Sequence, residues 1–432
     1  MTMNTSQAAV LTETTPAHTS LRAWLMWILA ALFYFYENLV QVSPSVMTTE
    51  LMRDFTIDAT HLGYLGALYL TAYAGMQIPV GILVDRYGVR RLLSIASLVC
   101  GLGCILFASA KLFSMACIGR IMIGIGSAFA VVCCSKIAAT WFPLGRFALL
   151  TGLMITVGFL GPVSSEKLLP ILIANLDWRQ SLLFLGGIGT GLAILVWLII
   201  RDRSVAISVS QTNHATGFFS GLKAVLRSKQ TWLASIYGSL MYTPTLVFGG
   251  LWGIAFLKQA DSLSDATAGS VMAMLFFGWI VGSPFGGWVS DRIGRRKVPM
   301  IVGAIGALIT SIVIIYISNL PAWTLEILLF LFGFFSSGFL TAFSIVREIN
   351  PPETSGTAIG FINTLNMVGG AAAQPFVGYL LDLHWHNQME NGVRIYSVEN
   401  FHFALMAMPI SIGIALILLP FIKETYCRVS DK

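Results

Sequence analysis

Charged residues are scarce in this chain. Asp, Glu, Lys and Arg together make up 11% of its 432 residues, whereas 56% are hydrophobic. A soluble globular protein carries about 25% charged residues, so this composition cannot cover the surface of the protein with polar groups. The surface must therefore face lipid. Backbone amides in lipid have to bond within their own segment, and we therefore expect the lipid-exposed segments to be helices.

Cysteine and histidine are too few and too scattered for a disulfide framework or a metal centre. Five of the six cysteines lie in apolar runs, where cysteine usually acts as a small hydrophobic residue. The pair His384 and His386 lacks the carboxylate or cysteine cluster that would complete a metal site. We therefore expect neither a metal nor a cofactor.

An enzyme or receptor embedded in the membrane is also not expected. It would need a deep nucleophile–base or metal constellation, or an appended soluble domain, and the sequence shows neither. The net charge of +6 comes from basic residues in the polar breaks between apolar runs, so it reports topology and gives no support to nucleic-acid binding.

Apolar runs of about 20 residues, each long enough to cross the hydrocarbon core as a helix, recur from end to end. The predicted spans, numbered 1 to 12, are 23–47, 60–84, 91–110, 113–141, 147–170, 181–200, 231–257, 266–290, 298–318, 322–346, 355–382 and 401–422. The predicted fold class is therefore an all-α integral membrane protein with twelve transmembrane helices.

The distribution of Lys and Arg predicts the orientation. With the N-terminus in the cytoplasm, 18 of the 26 basic residues fall on the inner side and six on the outer side, as the positive-inside rule requires. Both termini are then cytoplasmic, and the membrane is expected to be a bacterial inner membrane.

The order of spans and polar breaks predicts five regions. Residues 1–22, rich in Thr, Ser and Ala, are expected to be a disordered cytoplasmic N-terminus and not a signal peptide. A first six-helix bundle at 23–200 and a second at 230–423 are joined by a cytoplasmic linker at 201–229. Residues 424–432 form a cytoplasmic tail.

A short charged signature follows spans 2 and 8, and it indicates two halves of similar design. The first copy comprises Gly81, Asp85, Arg86, Gly88 and Arg90, and the second, 206 residues later, comprises Gly287, Asp291, Arg292, Gly294 and Arg295. The last glycine of each copy permits a tight turn, because a positive φ is cheap only for glycine. We expect a charged latch at the cytoplasmic ends of spans 2 and 8; topology and folding alone are the simpler alternative.

This pattern resembles the major facilitator superfamily of secondary transporters. The signature is similar to the GxxxDRxGxRR motif of that family, and Arg120-Ile-Met-Ile-Gly124-Ile-Gly126 resembles its RxxxGxG motif. Val89 stands where the family often has a basic residue. The resemblance implies two pseudo-symmetric six-helix bundles, a cavity lined by spans 1, 4, 7 and 10, and alternating access by rocking of the halves.

Ionisable side chains deep in a membrane are costly, and they are therefore candidates for function. Glu37 lies about 20 Å above the inner boundary of span 1, and Arg120 lies about 10 Å below the outer boundary of span 4. Both reach a similar depth, and the resemblance implies that both spans line the cavity. We therefore expect Glu37 to carry protons or bind an ammonium group, and Arg120 to bind a carboxylate or pair with Glu37. A fixed structural ion pair is the alternative. Lys136, on another face of span 4, is expected to extend to the interface.

Neutral polar groups complete the predicted cavity. Tyr34, Gln41 and Asn38 lie on or beside the face of span 1 that carries Glu37. The second half offers Tyr242, Asn363 and Asn366, and Pro244 is expected to interrupt span 7.

These features predict a proton-coupled importer of a small polar metabolite, with an amino acid as the best guess and a monomer as the unit. Leu32–Glu37 and Ser43–Met47 resemble the phagosomal nutrient transporter branch of intracellular bacteria, which implies amino acids or nucleosides. The alternative is efflux of a drug-like or siderophore-like solute by proton antiport. The helix 5 motif of the family's antiporters is incomplete here, because Ser164 and Ser165 follow Gly161-Pro162.

Overall fold

Twelve long helices account for most of the described chain. The computed structural model describes residues 21–202, 214–351, 354–390 and 392–428. The helices are α1 (Leu21–Phe55), α2 (Ala59–Tyr87), α3 (Val89–Ser109), α4 (Phe113–Trp141), α5 (Phe147–Leu176), α6 (Trp178–Ile199), α7 (Lys229–Asp261), α8 (Asp265–Ile293), α9 (Lys297–Tyr316), α10 (Ala322–Ile349), α11 (Ser355–Leu383) and α12 (Val398–Phe421).

Each predicted span corresponds to one of these helices. Ten of the described helices are long and apolar enough to cross a membrane, and α2 is an eleventh if its two segments, bent by 57° at Pro79, are one span. The helix α11 is long enough, with 29 residues, but is not among them. The largest difference in boundaries is in α1, which continues to Phe55 as a short polar helix that an apolar pattern does not reveal.

Several predicted regions lie partly outside the described residues. These are the N-terminal segment, most of which precedes Leu21, the stretch 203–213 of the linker, and the end of the tail after Arg428. The described part of the linker contains a helix, His214–Arg227. A two-residue hairpin, β1 (Met389–Glu390) paired with β2 (Val393–Arg394), follows α11.

Glycines allow close packing of helices within each half. A Cβ on Gly333 of α10 would lie 1.9 Å from the carbonyl oxygen of Leu275 in α8. A Cβ on Gly126 of α4 would lie 2.4 Å from the carbonyl oxygen of Ala96 in α3. Small residues permit such backbone approaches, which give helices in lipid their van der Waals contact.

The two halves meet tightly at one face of the bundle, here called the far face, which lies opposite the signature face that carries Asp85 and Asp291. There α2 packs on α11, and α5 packs on α8. A Cβ on Gly269 of α8 would lie only 2.1 Å from the carbonyl oxygen of Glu166 in α5. The far face is therefore closed by backbone packing between halves.

We expect Gly333→Ala to lower the melting temperature of the purified protein, because the added methyl group forces α8 and α10 apart. Overpacking of this kind typically costs about 1–3 kcal/mol. Gly286→Ala in α8 is the matched control, since nothing lies within 4 Å of a Cβ at that position. Equal melting temperatures for the two variants would contradict the packing argument.

Candidate functional site

A large cavity lies between the halves. Its volume is about 1730 Å³, and its walls come from both halves. Gly81, Asp85 and Arg86 lie at its rim together with Gly356 at the start of α11, so the cavity opens at the signature face. Seven of the predicted binding residues share the cavity wall: Tyr34, Glu37, Asn38, Gln41, Tyr242, Asn363 and Asn366. Their roles in binding remain predictions.

Glu37 is held in the wall by two hydrogen bonds. The hydroxyl group of Tyr69 donates to Oε2 at 2.8 Å, and Nδ2 of Asn38 donates to Oε1 at 2.9 Å. Asn38 is fixed in turn, because the same nitrogen donates to the carbonyl oxygen of Tyr34 at 2.8 Å. The carboxyl group is almost completely buried, so its protonation and its contact with a solute depend on a few neighbours.

Arg120 does not occupy its predicted place. It is absent from the cavity wall, and among the described residues no ion pair joins it to Glu37. Its guanidinium group lies 5.0 Å from the ring centroid of Tyr69, on which it packs as a cation on an aromatic face. Tyr69 therefore connects the two charged residues: its hydroxyl group contacts Glu37 and its ring contacts Arg120. The prediction of a direct ion pair between Glu37 and Arg120 is therefore wrong for this structure.

The backbone of α1 explains where Arg120 points. Pro44 has no N–H to bond the carbonyl oxygen of Val40, and the change to 3₁₀ geometry at Ser43–Met47 leaves the carbonyl of Gln41 without its α-helical partner. Arg120 Nη1 donates to Val40 at 3.2 Å, and Nη2 donates to Gln41 at 3.1 Å. Arg120 thus bonds the two carbonyl oxygens at the break in α1.

The first helix of the second half has a similar break. Directly after Pro244, α7 widens into a π-helical segment, Thr245–Trp252, so the predicted interruption by Pro244 is observed. Gln374 of α11 donates from Nε2 to the carbonyl oxygen of Leu246 at 2.9 Å. The carbonyl that Pro244 leaves without an amide partner is that of Leu240, and it accepts from Ser411 Oγ of α12 at 3.2 Å. Side chains from neighbouring helices therefore bond backbone oxygens at this break as well.

Aromatic rings form much of the remaining wall. Tyr242 and Phe339 stack with centroids 5.4 Å apart, and Trp279 meets both edge-on at 5.4 Å. Phe159 of the first half stacks on Trp279, also at 5.4 Å. Tyr34 has room because a Cβ at Gly158 would lie 2.2 Å from its ring. This wall can hold an apolar or aromatic group, or face a cation.

Charge is distributed unevenly in the cavity. Among the described residues of its wall, Glu37 is the charged group away from the rim, whereas Asp85 and Arg86 lie at the rim. The remaining polar groups are neutral amides and hydroxyls, such as Gln77 and Asn363. The interior therefore has one acidic group and no matching cation.

The two signature copies are built into the rim by different bonds. Asp85 pairs with Lys136, so the side chain of Lys136 extends to the rim as expected and has a partner within its own half there. In the second half, Asp291 pairs with Arg296 at 2.6 Å, and Arg296 also pairs with Glu348 at 2.6 Å. Both expected tight turns are present, since Gly88 has φ of 83° and Gly294 has φ of 68°.

Each signature loop is also capped by a carboxylate that follows the last helix of its half. Asp202 accepts from the amides of Val89 at 2.7 Å and Arg90 at 3.1 Å. Glu424 accepts from the amides of Arg296 at 2.8 Å and Lys297 at 2.9 Å. Partial burial opposes ionisation of Glu424, but these and neighbouring backbone amides hold its pKa below the usual value.

Some contact residues were missed from the sequence. Tyr69 and Tyr73 lie one turn apart in α2 and both face the cavity, so their spacing of four residues was a usable signal. Trp279 is buried in an apolar run, and nothing in its sequence environment distinguishes it from a packing residue. The capping residues Asp202 and Glu424 follow the last helices of the halves. Their equivalent positions become apparent only when the two halves of the structure are compared.

Comparison with known proteins agrees with this architecture. The family model described as Major Facilitator Superfamily matches residues 26–258 and 245–426. The chain belongs to the major facilitator superfamily. It is therefore a multi-pass membrane protein and a secondary transporter, as the fold and its central cavity indicate.

Relatives within the superfamily are distant. The uncharacterized transporter YybO of Bacillus subtilis is 25% identical, with 85% of this chain and 89% of that protein covered. The probable sulfoacetate transporter SauU of Cupriavidus necator is 24% identical, with coverage of 81% and 85%. A solved bacterial homologue of the human lysosomal transporter Spinster, inward-facing and occupied, has a TM-score of 0.76 at 14% identity, with coverage of 94% and 98%. The structural likeness concerns the fold alone.

We expect Arg120→Gln to destabilise this transporter by about 1–3 kcal/mol, the usual cost of leaving a buried acceptor unsatisfied. That acceptor is the Gln41 carbonyl, since the Val40 carbonyl keeps its bond from Ser43 Oγ at 2.9 Å. The loss should be smaller in a Pro44→Ala background, because an alanine at position 44 allows Ser43–Met47 to take α-helical geometry, in which the amide of Ser45 can bond the Gln41 carbonyl. Thermal unfolding of the four proteins of this double-mutant cycle measures the coupling. Exposed Arg292→Gln is the control. Additive losses would contradict the role of Arg120 at the break.

Proposed function

We propose that this transporter imports a small polar metabolite, with an amino acid as the best guess, by a proton-coupled mechanism. The observation that carries the proposal is the position of Glu37, a carboxyl group deep in the cavity wall and held by Tyr69 and Asn38. A deep carboxyl group can bind a proton in one conformation and release it in another. The unit is a monomer, since both walls of the cavity belong to one chain.

The signature face is proposed to be cytoplasmic. The excess of Lys and Arg on that side supports this orientation in a bacterial inner membrane. The open cavity then faces inwards, and the closed far face is external. The latch role of the signature copies belongs to the same proposal: Asp85 and Asp291 hold local charged contacts at the ends of α2 and α8.

The charge of the cavity favours a solute with an ammonium group. A protonated Glu37 carboxyl group still has an oxygen that can accept a hydrogen bond from the ammonium group. The rings of Tyr242 and Trp279 offer faces for a cation. Arg120 is engaged with backbone oxygens in this conformation, so we now assign the carboxylate of an amino acid to amide donors such as Asn363. The resemblance to the phagosomal branch agrees with an amino acid. Sulfoacetate, the solute in the name of SauU, is an anion and does not suit an interior whose ionisable group is acidic.

Proton antiport with efflux is the second candidate. A single deep carboxylate cannot hold a proton and pair with a cation at the same time, and such competition favours exchange of the two. Import by symport instead requires that the solute bind to the wall while Glu37 is protonated. The two candidates share the site and differ in the order of binding.

Replacing Glu37 by Gln removes the titratable group and keeps a side chain of similar shape. We expect Glu37→Gln to abolish accumulation driven by a proton gradient in liposomes, because the variant cannot release and rebind a proton. Solute exchange at equal concentrations should persist. The matched control is Glu326→Gln, which changes a half-buried carboxyl group near the far face in α10. Undiminished accumulation by Glu37→Gln would exclude the coupling role.

Direction is tested with oriented proteoliposomes screened over amino acids, nucleosides and simple organic amines. For symport, a proton gradient directed from the far face to the signature face should stimulate solute movement in the same direction. For antiport, it should stimulate loss of preloaded solute in the opposite direction. If only carboxylates without an amine were carried, the proposed solute class would be wrong.

A further inference from the structure

The two halves touch at the far face through the start of α2 and the end of α11. A Cβ on Gly378 would lie 2.3 Å from the carbonyl oxygen of Ala59, and a Cβ on Gly63 would lie 2.5 Å from Cα of Pro375. Backbone therefore meets backbone across the boundary between the halves. Polar groups at this contact are brought to fixed positions whenever the far face is closed.

The start of α2 presents amide donors at this contact. The first four N–H groups of a helix have no acceptor within the helix. Asp58 caps α2 from its own half by accepting from the amide of His61 at 2.9 Å. The amides of Ala59 and Thr60 remain to be satisfied, and they lie beside the second half.

The second half supplies the acceptor for both amides. Oδ2 of Asp382 accepts from the Thr60 amide at 2.8 Å and from the Thr60 hydroxyl group at 2.5 Å. Oδ1 accepts from the Ala59 amide at 3.4 Å. We propose that Asp382 is a far-face latch, a carboxylate of one half that caps the first turn of α2 in the other half and thereby stabilises the conformation closed at the far face.

The hairpin after α11 orients this carboxylate. The hydroxyl group of Tyr396 donates to Oδ1 of Asp382 at 2.6 Å, and Arg394 Nη1 donates to the same oxygen at 3.1 Å. The Tyr396 oxygen also accepts from the amide of Ala59 at 3.1 Å. Oδ1 of Asp382 is thus held by its own half, and both oxygens reach the other half. A pre-oriented acceptor loses little side-chain freedom when the contact forms.

The latch depends on conformation. A carboxylate near a helix amino terminus is favoured by the partial positive charge of that end, and the effect is confined to the first turn. Separation of the halves at the far face would therefore remove the contact and leave the amides of Ala59 and Thr60 to water. At the opposite end of α2, Asp85 pairs with Lys136 of its own half. In this conformation α2 is bonded to the other half by Asp382 at the far face.

The test uses the full-length protein in nanodiscs, without solute, so it does not depend on the proposed function. Spin labels are attached at Lys111→Cys and Ala266→Cys, two exposed far-face positions on different halves. The partly buried Cys117 and Cys427 are replaced by alanine. Asp382→Asn should increase the ratio of open to closed far-face distances about fivefold, the effect of losing one favourable charge at a helix end.

Two further variants make the result decisive. Asp265→Asn is the matched control, because Asp265 is a far-face carboxylate that pairs with Lys258 inside the second half, and it should leave the distances unchanged. Thr60→Val removes the hydroxyl donor and keeps the shape, and it should shift the distances in the same direction as Asp382→Asn but less. Unchanged distances in Asp382→Asn, or in Thr60→Val if Asp382→Asn does not fold, would overturn the proposal.

Discussion

The interaction on which the cavity depends is the bonding of backbone groups at two broken helices. In lipid, a carbonyl oxygen released by a break needs a partner from within the protein. Pro44 and Pro244 create such breaks in the first helix of each half, and side chains from other helices supply the partners. Arg120 bonds two carbonyls of α1, and Ser411 Oγ bonds the Leu240 carbonyl that Pro244 leaves without an amide partner in α7. Gln41 and Tyr242, which line the cavity, lie within three residues of these prolines, so both helices depart from α-helical geometry beside the cavity with their carbonyl oxygens bonded.

The need to bond the carbonyls at the break in α1 gives Arg120 a structural role in place of the expected pair with Glu37. A buried arginine at the depth of a buried glutamate suggests an ion pair, and depth along a helix was all that the sequence could supply. The direction in which a side chain points depends on the neighbouring backbone. The carbonyls of Val40 and Gln41 each accept from one nitrogen of the guanidinium group, and Tyr69 contacts both that group and Glu37. The result is a linked set, from the break in α1 through Arg120 and Tyr69 to the carboxyl group of Glu37.

The sequence predicted those features that depend on local pattern. Apolar runs predicted the helices, the repeat after α2 and α8 predicted two similar halves, and the depth of Glu37 predicted a residue of the cavity wall. Contacts that join distant parts of the chain were not predictable, because no local pattern specifies them. Asp382 lies 322 residues from Thr60, and Asp202 lies 113 residues from Val89. Trp279 looks like any apolar residue of α8 until Tyr242 and Phe339 are placed around it.

The helices α2 and α11 connect the cavity with its closure. They pack against each other at the far face, and they diverge towards the signature face, where Asp85 of α2 and Gly356 of α11 lie on the rim of the cavity. The glycines of the contact allow the two backbones to meet. Close packing alone, however, does not select which polar groups bond to each other. The bonds of Asp382 to the start of α2 add direction and charge to this contact. Neither group lines the cavity, so the closure of the far face and the recognition of solute use different side chains. One segment of α2, Ala59–Gln77, carries both Tyr69 beside Glu37 and Thr60 at the latch.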